Sequence, residues 1–115
     1  MQTNDLQALA LQALEDLQAI DTTVIDVRPL TSVMDVMIIC TGRSSRHVKS
    51  IADNLTIHAK KHSVKYVHIE GDENNEWVLV DMGDVVVHVM LAATRSFYNL
   101  EALWEPIMEL QAKQR

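Results

Sequence analysis

Two stretches of the chain carry apolar residues at intervals of three and four, the spacing that places side chains on one face of an α-helix. The first set is Leu6, Leu9, Ala10, Ala13, Leu14 and Leu17. The second set is Val48, Ile51, Ala52, Leu55 and Ala59. The pattern predicts helices over about residues 4–21 and 44–62, each beginning at an Asn, Asp or Ser that can accept hydrogen bonds from the first amides of the helix.

Runs of β-branched and apolar residues predict five strands. The first, Val24–Val27, ends before Pro29, which lacks an amide and favours an extended predecessor. The second, Val36–Cys40, is continuously apolar, which suits a strand covered on both faces and therefore central in the sheet. The other three are Tyr66–Ile69, Trp77–Asp81 and Val85–His88.

The order of these elements is helix, strand, strand, helix and three strands, followed by a short terminal helix or broken turns that include Tyr98. It predicts an α/β (α+β) layered fold with a mixed, largely five-stranded sheet and flanking helices. The last two strands must form an antiparallel hairpin. The chain of 115 residues shows neither a repeat nor a low-complexity segment, so we expect one domain over residues 1–115.

Gly83 permits two connections in the hairpin, and the sequence leaves both open. If Met82 and Gly83 form a two-residue loop, Trp77 lies opposite His88 and the core face of the hairpin is made of valine alone. With a type I turn and a bulge, Trp77 instead joins the valines of the last strand. Both connections place Met82 at the tip, where we expect it to be exposed.

Charge is unevenly distributed along the chain. The net charge is −6 at neutral pH, which disfavours a general nucleic-acid binder. Residues 66–94 nevertheless contain six acids and no Lys or Arg, whereas residues 43–65 contain six Lys or Arg and the single acid Asp53. Because aromatic residues are interleaved with the acidic stretch, it is typical of a surface for a basic partner. The basic stretch is typical of solvated helix surface, with an RNA-binding adaptor as the alternative.

Cys40 is the single cysteine, which excludes an intramolecular disulfide and a cysteine-based zinc site and fits a reducing compartment. The N-terminal residues lack the basic and apolar regions of a secretion signal, and no segment approaches 18 uninterrupted apolar residues. We therefore expect a cytoplasmic protein without a membrane segment.

Signals for catalysis are weak. Thr41–Ser44 follows a strand but lacks the glycine spacing and the lysine of a phosphate loop. Asp81 and Asp84 flank a tight turn without a third carboxylate, and His58 and His62 have helical metal-pair spacing without a third ligand. We expect no catalytic residue, metal or cofactor. The alternative is a small nucleotide-binding or nucleotidyltransferase-like enzyme.

Several motifs of the chain occur together in one known family. They are Asp35–Gly42, Arg46–Val48 with a preceding serine, Glu70–Gly71, Trp77–Asp81, Gly83–His88 and Arg95–Trp104. Over nearly its full length the chain resembles the bacterial ribosomal silencing factors of the Iojap family. The resemblance implies a nucleotidyltransferase-like fold without catalytic residues, reused as a binding platform.

The resemblance also implies a partner: the large ribosomal subunit, bound through its basic protein number fourteen. Binding would block joining of the small subunit and silence translation when nutrients are scarce, and the apolar C-terminal end would also allow a homodimer. The implied contact residues are the apolar anchors Trp77, Met82 and Tyr98, the acids Asp81, Asp84 and Glu101, and the supporting Leu100 and Trp104. Met82 is the sharpest of these, since an exposed Met at a turn has no obvious core role.

Overall fold

Five strands form one mixed sheet with helices on both of its faces. The computed structural model describes residues 2–71 and 73–102. The elements are α1 (Thr3–Asp16), β1 (Ile20–Asp26), β2 (Val36–Gly42), α2 (Ser45–Lys61), β3 (His68–Gly71), β4 (Trp77–Asp81), β5 (Val85–Leu91) and α3 (Ala92–Tyr98). This is the predicted order, so the predicted fold class is confirmed.

The strand order in the sheet is β1-β2-β5-β4-β3. β2 and β5 run parallel, and every other neighbouring pair is antiparallel. All seven residues of β2 are buried, and β2 lies between β1 and β5, as its continuous apolar run predicts. The middle strand of the sheet is β5.

α1 ends at Asp16, several residues before the predicted boundary near Asp21. Gln18 takes a left-handed conformation with φ 57°, and the amides of Gln18 and Ala19 donate to the carbonyls of Glu15 and Leu14. This is a Schellman cap, which terminates a helix by satisfying its last carbonyls. The chain can therefore enter β1 at Ile20, earlier than the predicted Val24.

The two faces of the sheet carry different cores. α1 and α2 cover one face, where the buried alanines and leucines of both helices pack against the valines of β4 and β5. On the other face Ile25, Val27, Met37, Ile39 and Met90 form a smaller core, against which Trp77 and Leu100 pack. The candidate functional surface, which includes Trp77, lies over this smaller core.

The hairpin differs from both predicted registers. Trp77 pairs with Met90 and Leu79 with His88, and the Met82 amide donates to the Val85 carbonyl at 2.9 Å. The two-residue loop is therefore made by the residues after Met82, with Gly83 first at φ 83°, the position where a type II′ turn requires glycine. Because the pairing shifts by two residues, the valines of β4 and β5 remain on the core face, where Met82 joins them.

Candidate functional site

Three aromatic side chains form a cluster where α3 approaches β4. The rings of Trp77 and Tyr98 are 4.9 Å apart, and the rings of Phe97 and Tyr98 are 5.1 Å apart in an edge-to-face arrangement. Phe97 is 82% exposed and Tyr98 is 54% exposed. We call Trp77, Phe97 and Tyr98 the aromatic cluster. It presents a large apolar area to solvent at one place on the surface.

Trp77 is half-buried and connects this cluster to the smaller core. Its indole N–H donates to His88 Nδ1 at 2.9 Å, which fixes the ring plane. His88 is 7% exposed, and burial lowers the pKa of its imidazole to about 4. His88 is therefore a neutral hydrogen-bond acceptor in the sheet. Trp77 therefore packs against the smaller core and also lines the surface beside Tyr98.

A groove with a volume of about 350 Å³ runs beside the cluster. Its lining is Glu70, Gly71, Glu76, Trp77, Leu79, Thr94 and Tyr98. Two acidic residues and two aromatic residues thus line one opening. Glu70 Oε1 also lies 3.0 Å from His68 Nε2 on the edge strand β3. We call this the acidic aromatic groove, and its chemistry suits a cationic side chain, which carboxylates and ring faces both attract.

Arg95 holds α3 in place. Its guanidinium donates to Glu101 Oε1 at 2.9 Å and to the Asp21 carbonyl at 2.7 Å. It also donates to the hydroxyls of Thr41 and Thr23 at 3.0 and 3.1 Å. One side chain therefore ties α3 and the turn after it to β1 and β2, and its position sets where Phe97 and Tyr98 point.

Met82 is not at the surface. Its side chain is 3% exposed and packs in the larger core with the valines of the hairpin. The expected exposure of Met82 is wrong, because the loop begins one residue later than predicted. Met82 therefore continues the alternation of β4 and points to the same face as Val78 and Val80.

The predicted acids Asp81 and Asp84 lie at the turn end of the hairpin, whereas Trp77 begins β4 at the other end. Asp81 is four residue steps along the strand from Trp77, or about 13 Å. Asp81 Oδ1 accepts a hydrogen bond from the Gly83 amide at 2.8 Å, and Asp84 is exposed. The acids that border the aromatic cluster are instead Glu70 and Glu76.

Two more of the predicted residues, Leu100 and Glu101, directly follow α3. Glu101 is ion-paired with Arg95, and Leu100 packs against the smaller core, so both support the aromatic cluster from below. Trp104 lies outside the described residues. The sequence interpretation missed Phe97, the groove acids and the role of Arg95. An exposed aromatic beside Tyr98 was a visible signal, whereas the partners of Arg95 lie up to 74 positions away in the chain.

The polar groups of the turn after β2 form hydrogen bonds with one another. The Arg43 amide donates to His47 Nδ1 at 2.8 Å, and Ser44 Oγ accepts from the His47 amide at 3.1 Å, which confirms a serine cap for α2. A Cβ added at Gly42 would lie 2.7 Å from Val48 Cγ2, so this turn is closely packed. Burial raises the pKa of the Cys40 thiol to about 12, which makes it a poor nucleophile.

Residues 2–71 and 73–102 contain no group of three or more His, Cys, Asp or Glu arranged to hold a metal ion. Over the same ranges, no helix has the length and apolar character needed to cross a membrane.

Comparison with known proteins gives a consistent family. The family model described as ribosomal silencing factor during starvation matches residues 1–115. The ribosomal silencing factor of Chromobacterium violaceum is 47% identical over 104 residues, covering 90% of this chain and 85% of the relative. A crystal structure from the same organism matches with a TM-score of 0.88 and 47% identity, covering 91% of this chain and 88% of that one.

A more distant relative comes from mouse. It is named mitochondrial assembly of ribosomal large subunit protein 1 and is 40% identical over 87 residues, covering 73% of this chain and 38% of the relative. The family model covers every residue of the chain, and the bacterial relative exceeds 40% identity over most of it. The chain therefore belongs to the ribosomal silencing factor family, whose name denotes a ribosome-associated regulator of translation rather than an enzyme.

Proposed function

We propose that this protein binds the large ribosomal subunit through its protein number fourteen and blocks joining of the small subunit. Translation is thereby silenced in the cytoplasm under nutrient limitation or in stationary phase. Family membership supports a role on the ribosome, and the mouse relative is named for assembly of a large subunit. The observation that carries the proposal is the acidic aromatic groove beside the exposed aromatic cluster.

The groove and cluster have the composition of a docking surface for a basic protein. Aromatic residues dominate the binding energy of many interfaces, and Phe97 and Tyr98 are available at 82% and 54% exposure. Glu70 and Glu76 add negative charge at the same opening, which attracts a basic partner and repels the phosphates of rRNA. A lysine or arginine of the partner would enter the groove between these carboxylates and the rings of Trp77 and Tyr98.

The other predicted acids fit the same footprint. A standard interface buries about 800 Å² on each partner, a patch roughly 28 Å across. The span of about 13 Å from Trp77 to Asp81 is well within this patch. Asp81 and Asp84 would contact the partner at its edge, while Leu100 and Glu101 hold α3 from below. Met82 is left out of the contact surface because its side chain is buried.

Silencing by this route needs no chemical step. A domain bound at the subunit interface occupies space that the small subunit requires. A ligand that binds only the free large subunit removes it from the association equilibrium by mass action. The effect therefore scales with the concentration of the protein relative to its dissociation constant, and the protein needs neither a catalytic residue nor a cofactor.

Sedimentation tests the proposal directly. The purified chain is mixed with separated large and small subunits, and the pellets are assayed before and after conditions that favour their reassociation. We expect it to sediment with large subunits alone and to prevent their joining. Absence from the large-subunit pellet, or unhindered joining at saturating protein, would contradict the proposal.

Variants locate the contact surface. Phe97→Ala and Tyr98→Ala should each weaken binding about 10- to 30-fold, since buried aromatic anchors contribute most of the energy of an interface. Val33→Ala is the matched control, because Val33 is 81% exposed but lies in the β1–β2 loop. Equal effects at Val33 and Phe97 would refute the assignment. Sedimentation velocity of the chain alone distinguishes docking from use of the same aromatic surface in a homodimer.

A further inference from the structure

One exposed face of α2 carries a row of basic side chains. Arg46, Lys49, Asp53, Ile57 and Lys60 follow each other at intervals of three or four, so they share one face of the helix, and Lys61 lies beside Lys60. All six are exposed, while the opposite face of α2 is buried in the larger core. We call Arg46, Lys49, Lys60 and Lys61 the basic stripe. From Arg46 to Lys60 it extends roughly 21 Å along the helix axis.

Few acids lie near this stripe in the described structure, and Asp16 of α1, which lines the same surface cavity as Arg46, is paired with His58 at 3.4 Å. Asp53 is the sole acid of α2 and pairs with Lys49 at 3.0 Å. Both of these side chains are more than half exposed, and such surface pairs contribute little to stability, so Lys49 can exchange its partner at small cost. In the described residues, Arg46, Lys60 and Lys61 form no ion pair.

The stripe and the acidic aromatic groove lie on opposite faces of the sheet. On β3, Glu70 pairs with Leu79 on the face that bears α3, whereas Ile69 pairs with Val80 on the face that bears α2. A partner in the groove therefore leaves the stripe accessible. Glu70 and Glu76 lie on the groove side of the sheet, whereas the other side carries the basic stripe together with the acids Asp16 and Asp53.

The chemistry of the stripe favours a polyanion with regularly spaced charges. A membrane is a poor fit because Ile57 is the one apolar residue on this face, and interfacial helices need a broad apolar side. The family acts at the ribosome, where the abundant polyanion is RNA. We propose that the basic stripe binds the phosphate backbone of RNA without sequence preference, while the groove holds a protein.

Fluorescence anisotropy with a labelled RNA duplex of about 20 base pairs tests this proposal. Four phosphate contacts on a duplex predict a slope of about −3.6 for the logarithm of the binding constant against that of salt concentration, or about 150-fold weaker binding between 50 and 200 mM salt. Two duplexes of unrelated sequence should bind equally. Absence of binding by the natural chain, or equal binding of a polyglutamate peptide, would overturn the assignment to RNA.

Matched variants separate the stripe from net charge. Arg46→Gln should weaken RNA binding about eightfold at 100 mM salt. Arg28→Gln, which removes the same charge from the β1–β2 loop, should leave it nearly unchanged. Asp53→Asn should tighten binding, since it releases Lys49, whereas Glu73→Gln on the β3–β4 loop should not. Equal changes within each pair would show a net-charge effect alone and overturn the proposal.

This inference stands apart from docking on the ribosomal protein. Tyr98→Ala should weaken binding to large subunits about 10- to 30-fold and retain binding to the RNA duplex. Arg46→Gln should retain the contact with isolated protein number fourteen. Loss of RNA binding in Tyr98→Ala would overturn the assignment of RNA to the stripe. Failure of subunit sedimentation with intact RNA binding would instead count against the proposed function.

Discussion

The buried imidazole of His88 should make the stability of the fold depend on pH, and replacing it with glutamine should remove that dependence. His88 is 7% exposed, and its Nδ1 accepts the hydrogen bond of the Trp77 indole. Protonation would place a positive charge in the sheet and convert this acceptor into a donor facing the indole N–H. Glutamine keeps a carbonyl oxygen as an acceptor for Trp77 but does not titrate.

The magnitude follows from the two protonation equilibria. Burial lowers the pKa of His88 to about 4 in the folded state, against 6.5 for an ordinary histidine. Above pH 6.5 the imidazole is neutral in both states and its contribution is constant. As the pH falls from 6.5 to 4, the unfolded chain binds a proton that the folded chain does not. Stability then decreases by roughly 1.4 kcal/mol per pH unit, or about 3 kcal/mol in total.

Urea unfolding followed by far-ultraviolet circular dichroism at several pH values between about 7.5 and 5 measures this loss. Over that interval the natural chain should lose about 2 kcal/mol more than His88→Gln, since the carboxylates contribute equally to both. The same substitution at exposed His62 controls for loss of one histidine. Parallel curves for the natural chain and His88→Gln would refute the neutral, buried imidazole.

Three other changes test local features of the fold. Gly42→Ala should destabilise the fold by about 2 kcal/mol or more, because the added Cβ would lie 2.7 Å from Val48. Gly83→Ala should cost only about 1 kcal/mol, since its φ of 83° is unfavourable but the surrounding space is open. Thermal unfolding of both variants compares the two costs. Arg95→Lys should lower the free energy of unfolding in urea by about 2–3 kcal/mol, because lysine cannot reproduce the forked contacts of arginine. A double-mutant cycle with Glu101→Gln should show that the two side chains are energetically coupled. Additive costs would contradict the ion pair between Arg95 and Glu101. Ser44→Ala should lose about 1 kcal/mol in chemical denaturation with the loss of its cap, and an unchanged midpoint would contradict the bond to His47.

The spacing of apolar residues predicted the helices and strands because buried side chains recur at the period of each type of secondary structure. The apolar face of α2 and the continuous run of β2 both lie where their patterns indicate. The end of α1 escaped prediction because Gln18 takes the left-handed cap position that glycine usually occupies. Nothing in the local sequence marks this residue as a terminator, and the apolar spacing of the helix continues to Leu17.

The site was less predictable than the fold because it is assembled from distant segments. Glu70, Trp77 and Tyr98 come from two strands and a helix, so sequence alone shows their types but not their shared opening. The link between Trp77 and His88 also depends on register, since these residues are diagonal neighbours across β4 and β5 rather than a direct pair. Neither of the two connections considered from the sequence gives this arrangement.

A displacement of the hairpin turn by one residue has consequences for the whole docking surface. With Gly83 first in the loop, Met82 completes the alternation of β4 and its side chain enters the larger core. The tip then lacks an apolar anchor and retains Asp81 and Asp84. The exposed apolar area moves to α3, whose Phe97 and Tyr98 stand over the opposite end of the hairpin and depend on Arg95 for their position. Binding energy should therefore concentrate at α3 and the acidic aromatic groove, while charge at the tip should affect the rate of association.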